Sequence, residues 1–242
     1  MKDRDEIYVL NRRVRLYQPV GGFRTSMDSV LLAAACPAQA GDRVLDLGCG
    51  VGGAGLCVMA RVPDIFLTGI ELQADHAALA GENAVLNAVQ DRAAFIAGDI
   101  RDDRAGERFD HVICNPPYLE AGTHTPSPDA ARAIANGHVD EGDIKDWIDA
   151  AFDQLFSGGT LTMIHRADMV DKIIRAMGKR FGAVEIIPLW PHAGEAARRV
   201  IVRAIKDRRS PACIHPGIIL HAPGGAYTDA ANSVLRDMAP IP

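Results

Sequence analysis

From Arg43 to Cys114 the chain alternates short apolar runs with amphipathic stretches. Arg43–Asp46, Leu67–Glu71, Ala93–Ala97 and Phe109–Cys114 are the runs, and Gly53–Arg61 and Asp75 to about Asn87 lie between them. Continuous apolar runs of this length suit strands covered on both faces, and the stretches between them carry apolar residues at helical spacing. Strand and helix in alternation predict an α/β fold, a Rossmann-like parallel sheet with helices on both faces. The pattern continues with a helix over Asp143–Phe156, a strand over Thr160–His165, a helix from about Ala167 to Met177, and strands Ala183–Leu189 and Arg198–Ile205. Only eight residues join the last two, too few for a helical crossover. They should pair antiparallel and close a mostly parallel, seven-stranded sheet.

The flanks add smaller elements. Ile7–Leu10 and Arg13–Gln18 alternate around Asn11-Arg12, which predicts an N-terminal hairpin with a tight turn. After the loop Pro19–Thr25, Ser26 to Cys36 reads as an apolar helix stopped by Pro37, and the tail holds a turn at Ala222–Gly225 and a short helix after Thr228. At 242 residues and 48% hydrophobic content, one domain over 1–242 is expected. Its parts would be a hairpin and helix (1–40), a core (41–206) and a C-terminal extension (207–242). No apolar run approaches the ~20 residues a bilayer requires. The start, MKDRDEIYVL, is charged where a signal peptide is apolar, so a soluble, cytoplasmic protein is expected. Five cysteines without CxxC spacing point to buried fillers, with neither a disulfide framework nor a metal site.

The first core strand runs into VLDLGCGVGGAG, Val44 to Gly55, where Gly48, Gly50 and Gly53 fit GxGxxG between a strand and a helix. Glu71 closes the next strand about twenty residues on, where a ribose-binding carboxylate belongs. That much suits NAD as well as S-adenosylmethionine. Asp46 separates them: a carboxylate there would repel a pyrophosphate and attract the ammonium and sulfonium of S-adenosylmethionine. The bland alternative is that Asp46 only accepts from loop amides. Asp99, in AGDI at the third strand's end, adds an acceptor at the same sheet edge.

At the end of the fourth strand stands Asn115-Pro116-Pro117-Tyr118. An exocyclic amine on a base or amide is a poor nucleophile because its lone pair is delocalised. The Asn115 side-chain oxygen and the Pro116 carbonyl can each accept one of its N–H bonds, aiming the lone pair at a methyl donor. Pro117 restricts Pro116 to extended geometry, and Tyr118 offers a face for stacking.

DLGCG, Glu71, Asp99 and NPPY together resemble the class I S-adenosylmethionine-dependent methyltransferases that act on amino groups, over about residues 41–206. Leu10–Ala35, Trp190–Lys206 and Leu220–Arg236 are similar to the bacterial valine-tRNA (adenine-N(6)) methyltransferase family. The resemblance implies a cofactor site of Asp46, Gly48, Cys49, Gly50, Gly52, Glu71, Leu72, Asp99, Ile100 and Asn115, with Asn115, Pro116, Pro117 and Tyr118 as the catalytic tetrapeptide. It also implies methylation of an adenine amine in RNA, with an anticodon-loop adenosine of tRNA favoured. One departure is Val51-Gly52-Gly53, where many members carry a threonine or serine. Protein glutamine methyltransferases share this NPPY and remain an alternative, as do enzymes acting on rRNA or DNA bases. A NAD oxidoreductase is disfavoured by Asp46 and NPPY, and a non-catalytic module by the intact tetrapeptide.

A formal net charge of -5 hides an uneven distribution. Residues 1–25 carry six Lys/Arg against three acids and 166–209 eleven against five, whereas 26–165 carry eight against twenty-one. Arg12, Arg13 and Arg15, with Arg198, Arg199, Lys206, Arg208 and Arg209, are therefore candidates for phosphate contacts. Arg24 is expected to pair with the cofactor carboxylate or a phosphate, and Asp28 to cap a helix or join the site. The long connection 119–143 should form a lid in which Ser127-Pro128 starts a short helix carrying Arg132 towards substrate. His124 and His138 there are taken as ordinary polar residues, and no catalytic histidine is assigned.

Overall fold

The computed structural model describes residues 4–20, 25–102, 105–117 and 144–241. The expectations for Arg24, Tyr118, Arg132 and the 119–143 connection lie outside these residues. In chain order the elements are β1 (Arg4–Val9), β2 (Val14–Pro19), α1 (Met27–Ala35), β3 (Arg43–Leu47), α2 (Gly53–Arg61), β4 (Phe66–Glu71), α3 (Ala74–Leu86), β5 (Ala93–Ala97) and β6 (Phe109–Cys114). Then come α4 (Ile144–Gln154), β7 (Leu155–Arg166), α5 (Val170–Met177), β8 (Phe181–Trp190), β9 (Arg199–Lys206), β10 (Cys213–Ile214), β11 (Ile218–Ile219) and α6 (Asp229–Arg236).

The sheet runs β10-β8-β9-β7-β6-β3-β4-β5, with β11 also on β8. β3, β4, β5, β6 and β7 pair in parallel, and β9 lies antiparallel to both β7 and β8. The α/β class and the antiparallel close are as expected. The strand count is nine rather than seven, because β10 and β11 are two residues each, too short to show any periodicity. From β3 the chain moves one way to β4 and β5, then returns to β6 on β3's other side. That reversal opens a crevice at the carboxyl ends of β3 and β6, where ligands of such sheets bind.

Alternation along the central strands feeds two cores. Val44, Ile113, Ile164 and Ile201 pack with α1, α2 and α6, while Leu45, Leu47, Val112, Met163 and Val202 pack with α4 and α5. Ser26 caps α1 by accepting from the Asp28 amide (3.2 Å), and Thr228 caps α6 by accepting from Ala231 (3.1 Å). Most boundaries fall within two residues of expectation, and the largest departures lie around β7. β7 begins five residues early, with its register shifting between Phe109 and His111 of β6, and α5 is preceded by a 3₁₀ turn at Ala167–Met169.

The hairpin loop is Leu10–Arg13, four residues rather than two, since Val9 pairs with Val14. Leu10, Asn11 and Arg12 all take positive φ, which lets Leu10 bury its side chain in the core. β2 is held to α3 by a pair of asparagines one turn apart. Asn83 accepts from the Tyr17 amide (2.7 Å) and donates to the Tyr17 carbonyl (2.9 Å), and Asn87 does the same for Arg15 (2.9 and 2.7 Å). These side chains stand in for a neighbouring strand. Asn83 also donates to the Val51 carbonyl (2.9 Å), tying the hairpin to the glycine loop. Asn83→Ala leaves three backbone groups unpaired in a buried position, so a loss of about 3 kcal/mol is expected in urea unfolding. Asn87→Ala, nearer solvent, should cost under about 1 kcal/mol. Equal losses would disprove the coupling role of Asn83.

Candidate active site

The glycine loop begins where β3 stops. Gly48 and Cys49 both donate to the Ile70 carbonyl (2.8 and 3.1 Å), so the turn is pinned to β4. Gly52, left-handed at φ +84°, precedes the first turn of α2 and accepts from the Leu56 amide (2.9 Å). Gly48 and Gly50 also take positive φ, for different spatial reasons. A Cβ on Gly48 would lie within 2.8 Å of the Trp147 ring of α4, whereas among the described residues nothing lies within 4 Å of the corresponding point on Gly50. Gly48 is closed against the protein. Gly50 has no such neighbour among the described residues.

The acidic strand ends surround this loop. Glu71 accepts from the Gly50 amide (2.8 Å) through one oxygen and from the Gln73 amide (3.0 Å) through the other. A carboxylate has about four acceptor positions, so each oxygen keeps capacity for a hydroxyl. Asp46 accepts from the Gly55 amide (2.9 Å) in the first turn of α2, the contact of the bland alternative. Burial pushes its carboxyl up to about 7, the Gly55 amide pulls it down, and the charge of Glu71 adds to the rise. Asp99 accepts from the Arg101 guanidinium through both oxygens (3.1 and 2.7 Å), and this pairing lowers its carboxyl. Leu72 stays 46% exposed beside Glu71, while Ile100 and Cys49 are buried. Burial raises the Cys49 thiol well above its usual range, which keeps it inert.

Cys114, the last residue of β6, lies opposite Leu47 of β3 and Met163 of β7. Asn115, half-buried, and Pro116, buried, therefore emerge directly beside Gly48, one strand spacing of ~4.8 Å away. Among the predicted residues the fold thus gathers Asp46, Gly48, Cys49, Gly50, Gly52, Glu71, Leu72, Asn115, Pro116 and Pro117 at one edge, with Asp99 and Ile100 following β5 there. It does not gather the basic flanks. Arg13 donates to the Arg236 carbonyl (2.7 Å) at the end of α6, next to Arg61 at the end of α2, and Arg12 lies over the Tyr8 ring at 4.0 Å. Both sit at the opposite end of the sheet from Gly48. Lys206 is there as well, buried and donating to the Leu155 carbonyl (2.9 Å). Arg198 and Arg199, in contrast, reach the Asn115 edge, because Arg199 pairs with Arg166 at the end of β7.

Three residues at this edge were not singled out in the sequence. Thr25 packs its side chain against Gly53, with Oγ1 2.8 Å from where a Cβ would stand, and its amide donates to the Gln18 side chain (3.2 Å). A hydroxyl from the preceding segment thus abuts the loop in which Val51 lacks one. Trp147, buried over Gly48, keeps an indole N–H with no hydrogen-bond partner among the described residues. His165 lies two residues beyond the Cys114 partner on β7, and burial pushes its imidazole down to about 4, so it is neutral. Strand alternation and edge position could have flagged His165. Nothing local could have flagged the other two. Asp28, in the first turn of α1, accepts from Arg199 (3.1 Å).

Comparison with known proteins identifies the family. The family model described as "Methyltransferase small domain" matches residues 24–188. The tRNA1(Val) (adenine(37)-N6)-methyltransferase of Aeromonas hydrophila is 30% identical over 209 residues, 85% of this chain and 86% of that one. The protein of the same name from Bacteroides thetaiotaomicron is 28% identical over 88% of this chain and 89% of its own. Among solved structures, a predicted O-methyltransferase from Agrobacterium tumefaciens, Atu636, superposes with a TM-score of 0.73 at 30% identity, covering 89% of this chain and 98% of that one. With a family model matched over most of its length and a relative 30% identical over 85% of it, the chain belongs to the methyltransferase small-domain family of class I, S-adenosylmethionine-dependent enzymes.

Proposed function

We propose that the protein methylates the exocyclic amine of an adenosine in tRNA, in the cytoplasm. The observation that carries this is the emergence of Asn115-Pro116-Pro117 beside the glycine loop, which puts paired acceptors for an NH2 group next to the cofactor cradle. The names of relatives matching most of the chain support adenine in tRNA as the bearer of that amine.

The residues present fit S-adenosylmethionine. Among the described residues the space at Gly50 is clear, Glu71 has spare acceptor positions for ribose hydroxyls, and Leu72 offers an exposed apolar face for adenine. When bound, it supplies an electrophilic methyl on a sulfonium. The chain's part is to bind and orient. Asn115 Oδ1 and the Pro116 carbonyl accept the two amine hydrogens, and the prolines stop that carbonyl from turning away. No side chain need remove a proton before transfer, since the amine becomes acidic on methylation and loses its proton to water. The neutral His165 at the same edge agrees with this, because a cation there would oppose a cationic product.

The deciding measurement is transfer of labelled methyl from S-adenosylmethionine into tRNA, rRNA and protein from cells lacking the enzyme. Label in tRNA, released as N6-methyladenosine on digestion, is expected. Label in protein alone would move the substrate to a glutamine side chain. For the cofactor, Glu71→Ala should weaken S-adenosylmethionine about 10- to 100-fold by calorimetry, the loss of a charged hydrogen bond. Unchanged affinity in a folded variant would remove Glu71 from the site.

A further inference from the structure

Beyond β7 the same sheet edge carries a groove of about 750 Å³, lined by Trp190, His192, Gly194, Pro216, Ile219 and Thr228. β8 is parallel to β7, both being antiparallel to β9, so Trp190 ends at the edge from which Asn115 emerges. Three strand spacings across and about three residues along the strands separate them, roughly 17 Å.

The walls are fixed. The Trp190 indole N–H donates to the Pro216 carbonyl (3.0 Å), and Ile219 lies opposite Trp190 in the β8–β11 pairing yet stays 39% exposed. Gly217, at φ +77°, lets the tail run so close to β8 that a Cβ there would collide with the Pro188 carbonyl. Behind His192, His221 stacks on Tyr227 with ring centres 5.0 Å apart, and the His192 ring lies 5.6 Å from His221. The groove therefore exists before anything binds. At its rim the Arg198 side chain is 77% exposed, 4.0 Å from Glu195, which also lines the groove; Arg199 and Arg166 follow towards Asn115, each paired with an acid, Asp28 and Asp168.

Flat rings and an aliphatic floor with a cation at the rim match an unstacked nucleobase whose phosphate stays in solvent. A target adenosine must leave its stack to reach Asn115, which costs a few kcal/mol and loosens its neighbours. Holding one neighbour's base offsets part of that cost. We infer that this groove takes an unstacked base of the RNA strand a few nucleotides from the target adenosine, with Arg198 on the connecting phosphate. The inference rests on the RNA substrate proposed above and adds where the flanking strand goes.

The test is a synthetic stem-loop of the tRNA that accepts label, with the base removed at each position flanking the target in turn. Its binding is measured to the wild-type chain and to His192→Ala, His192→Phe and Ile219→Ala. In the wild type, removal at one flanking position should weaken binding about ten-fold, the scale of one base-stacking contact. His192→Ala should weaken the intact stem-loop similarly, and the same base removal should then cost nothing more. His192→Phe should retain the contact, and S-adenosylmethionine affinity should be unchanged in all three variants. Independent, additive losses, or no sensitive flanking position, would overturn the groove assignment while leaving RNA methylation intact. A wild type that binds no RNA and labels only protein would overturn both.

Discussion

Asn115→Ala should lower turnover about 100-fold or more while S-adenosylmethionine affinity stays within a few fold. The magnitude is that of losing one preorganised hydrogen-bonding group aimed at the reacting centre, about 2.7–4 kcal/mol of transition-state stabilisation. The split between turnover and affinity follows from position. In the proposed site the loop, Glu71 and Leu72 would hold the cofactor on β3 and β4, whereas Asn115 comes from β6, on the far side of β3. Pre-steady-state methyl transfer at saturating cofactor reads the first quantity and calorimetry the second. Near-normal turnover would show that the side-chain oxygen does not orient the amine. A parallel collapse of cofactor affinity would place Asn115 in the cradle instead. Because Asn115 is half-buried, a thermal unfolding curve for the variant separates either outcome from misfolding.

The central sheet was the legible part of this chain. β5 and β6 have the bounds expected of them, as does α2, because strands covered on both faces must be apolar throughout and the glycine loop marks the helix start. The same logic located Gly48, Glu71, Asp99 and Asn115, since parallel strands put all their carboxyl ends at one edge. What sequence could not supply was distance across the fold. Arg199 and Lys206 belong to one basic stretch, yet the eight residues of β9 carry them to opposite edges, roughly 23 Å apart at ~3.3 Å per residue. Arg12 and Arg13 likewise sit at the far edge, where Arg13 satisfies a helix-end carbonyl. Only the Arg166, Arg198 and Arg199 part of the patch therefore stays near the site. The four-residue hairpin loop was missed for a related reason: burial of Leu10 in a core built by distant segments decides it, and Asn-Arg carries little turn information. Thr25 and Trp147 meet the glycine loop only after folding.

Trp147 makes Gly48 the second position where a large effect is expected. Gly48→Ala should destabilise the protein by about 2–5 kcal/mol, combining a left-handed backbone cost of ~1–2 kcal/mol with ~1–3 kcal/mol for overpacking. The overpacking arises because a Cβ at Gly48 would lie within 2.8 Å of the Trp147 six-membered ring. Gly50→Ala is the matched control. Its backbone also takes positive φ, +56°, but among the described residues no atom lies within 4 Å of its Cβ position. That change should cost only the backbone part, about 1–2 kcal/mol, in unfolding. It should instead weaken S-adenosylmethionine, because the methyl occupies the space the ligand enters. The two substitutions thus separate packing from access within one loop. Trp147→Phe, which shortens the ring facing Gly48, should recover part of the Gly48→Ala loss, so that the double variant is more stable than the two single losses added together. Strict additivity would mean that the backbone strain at Gly48, and not the indole, fixes that residue as glycine.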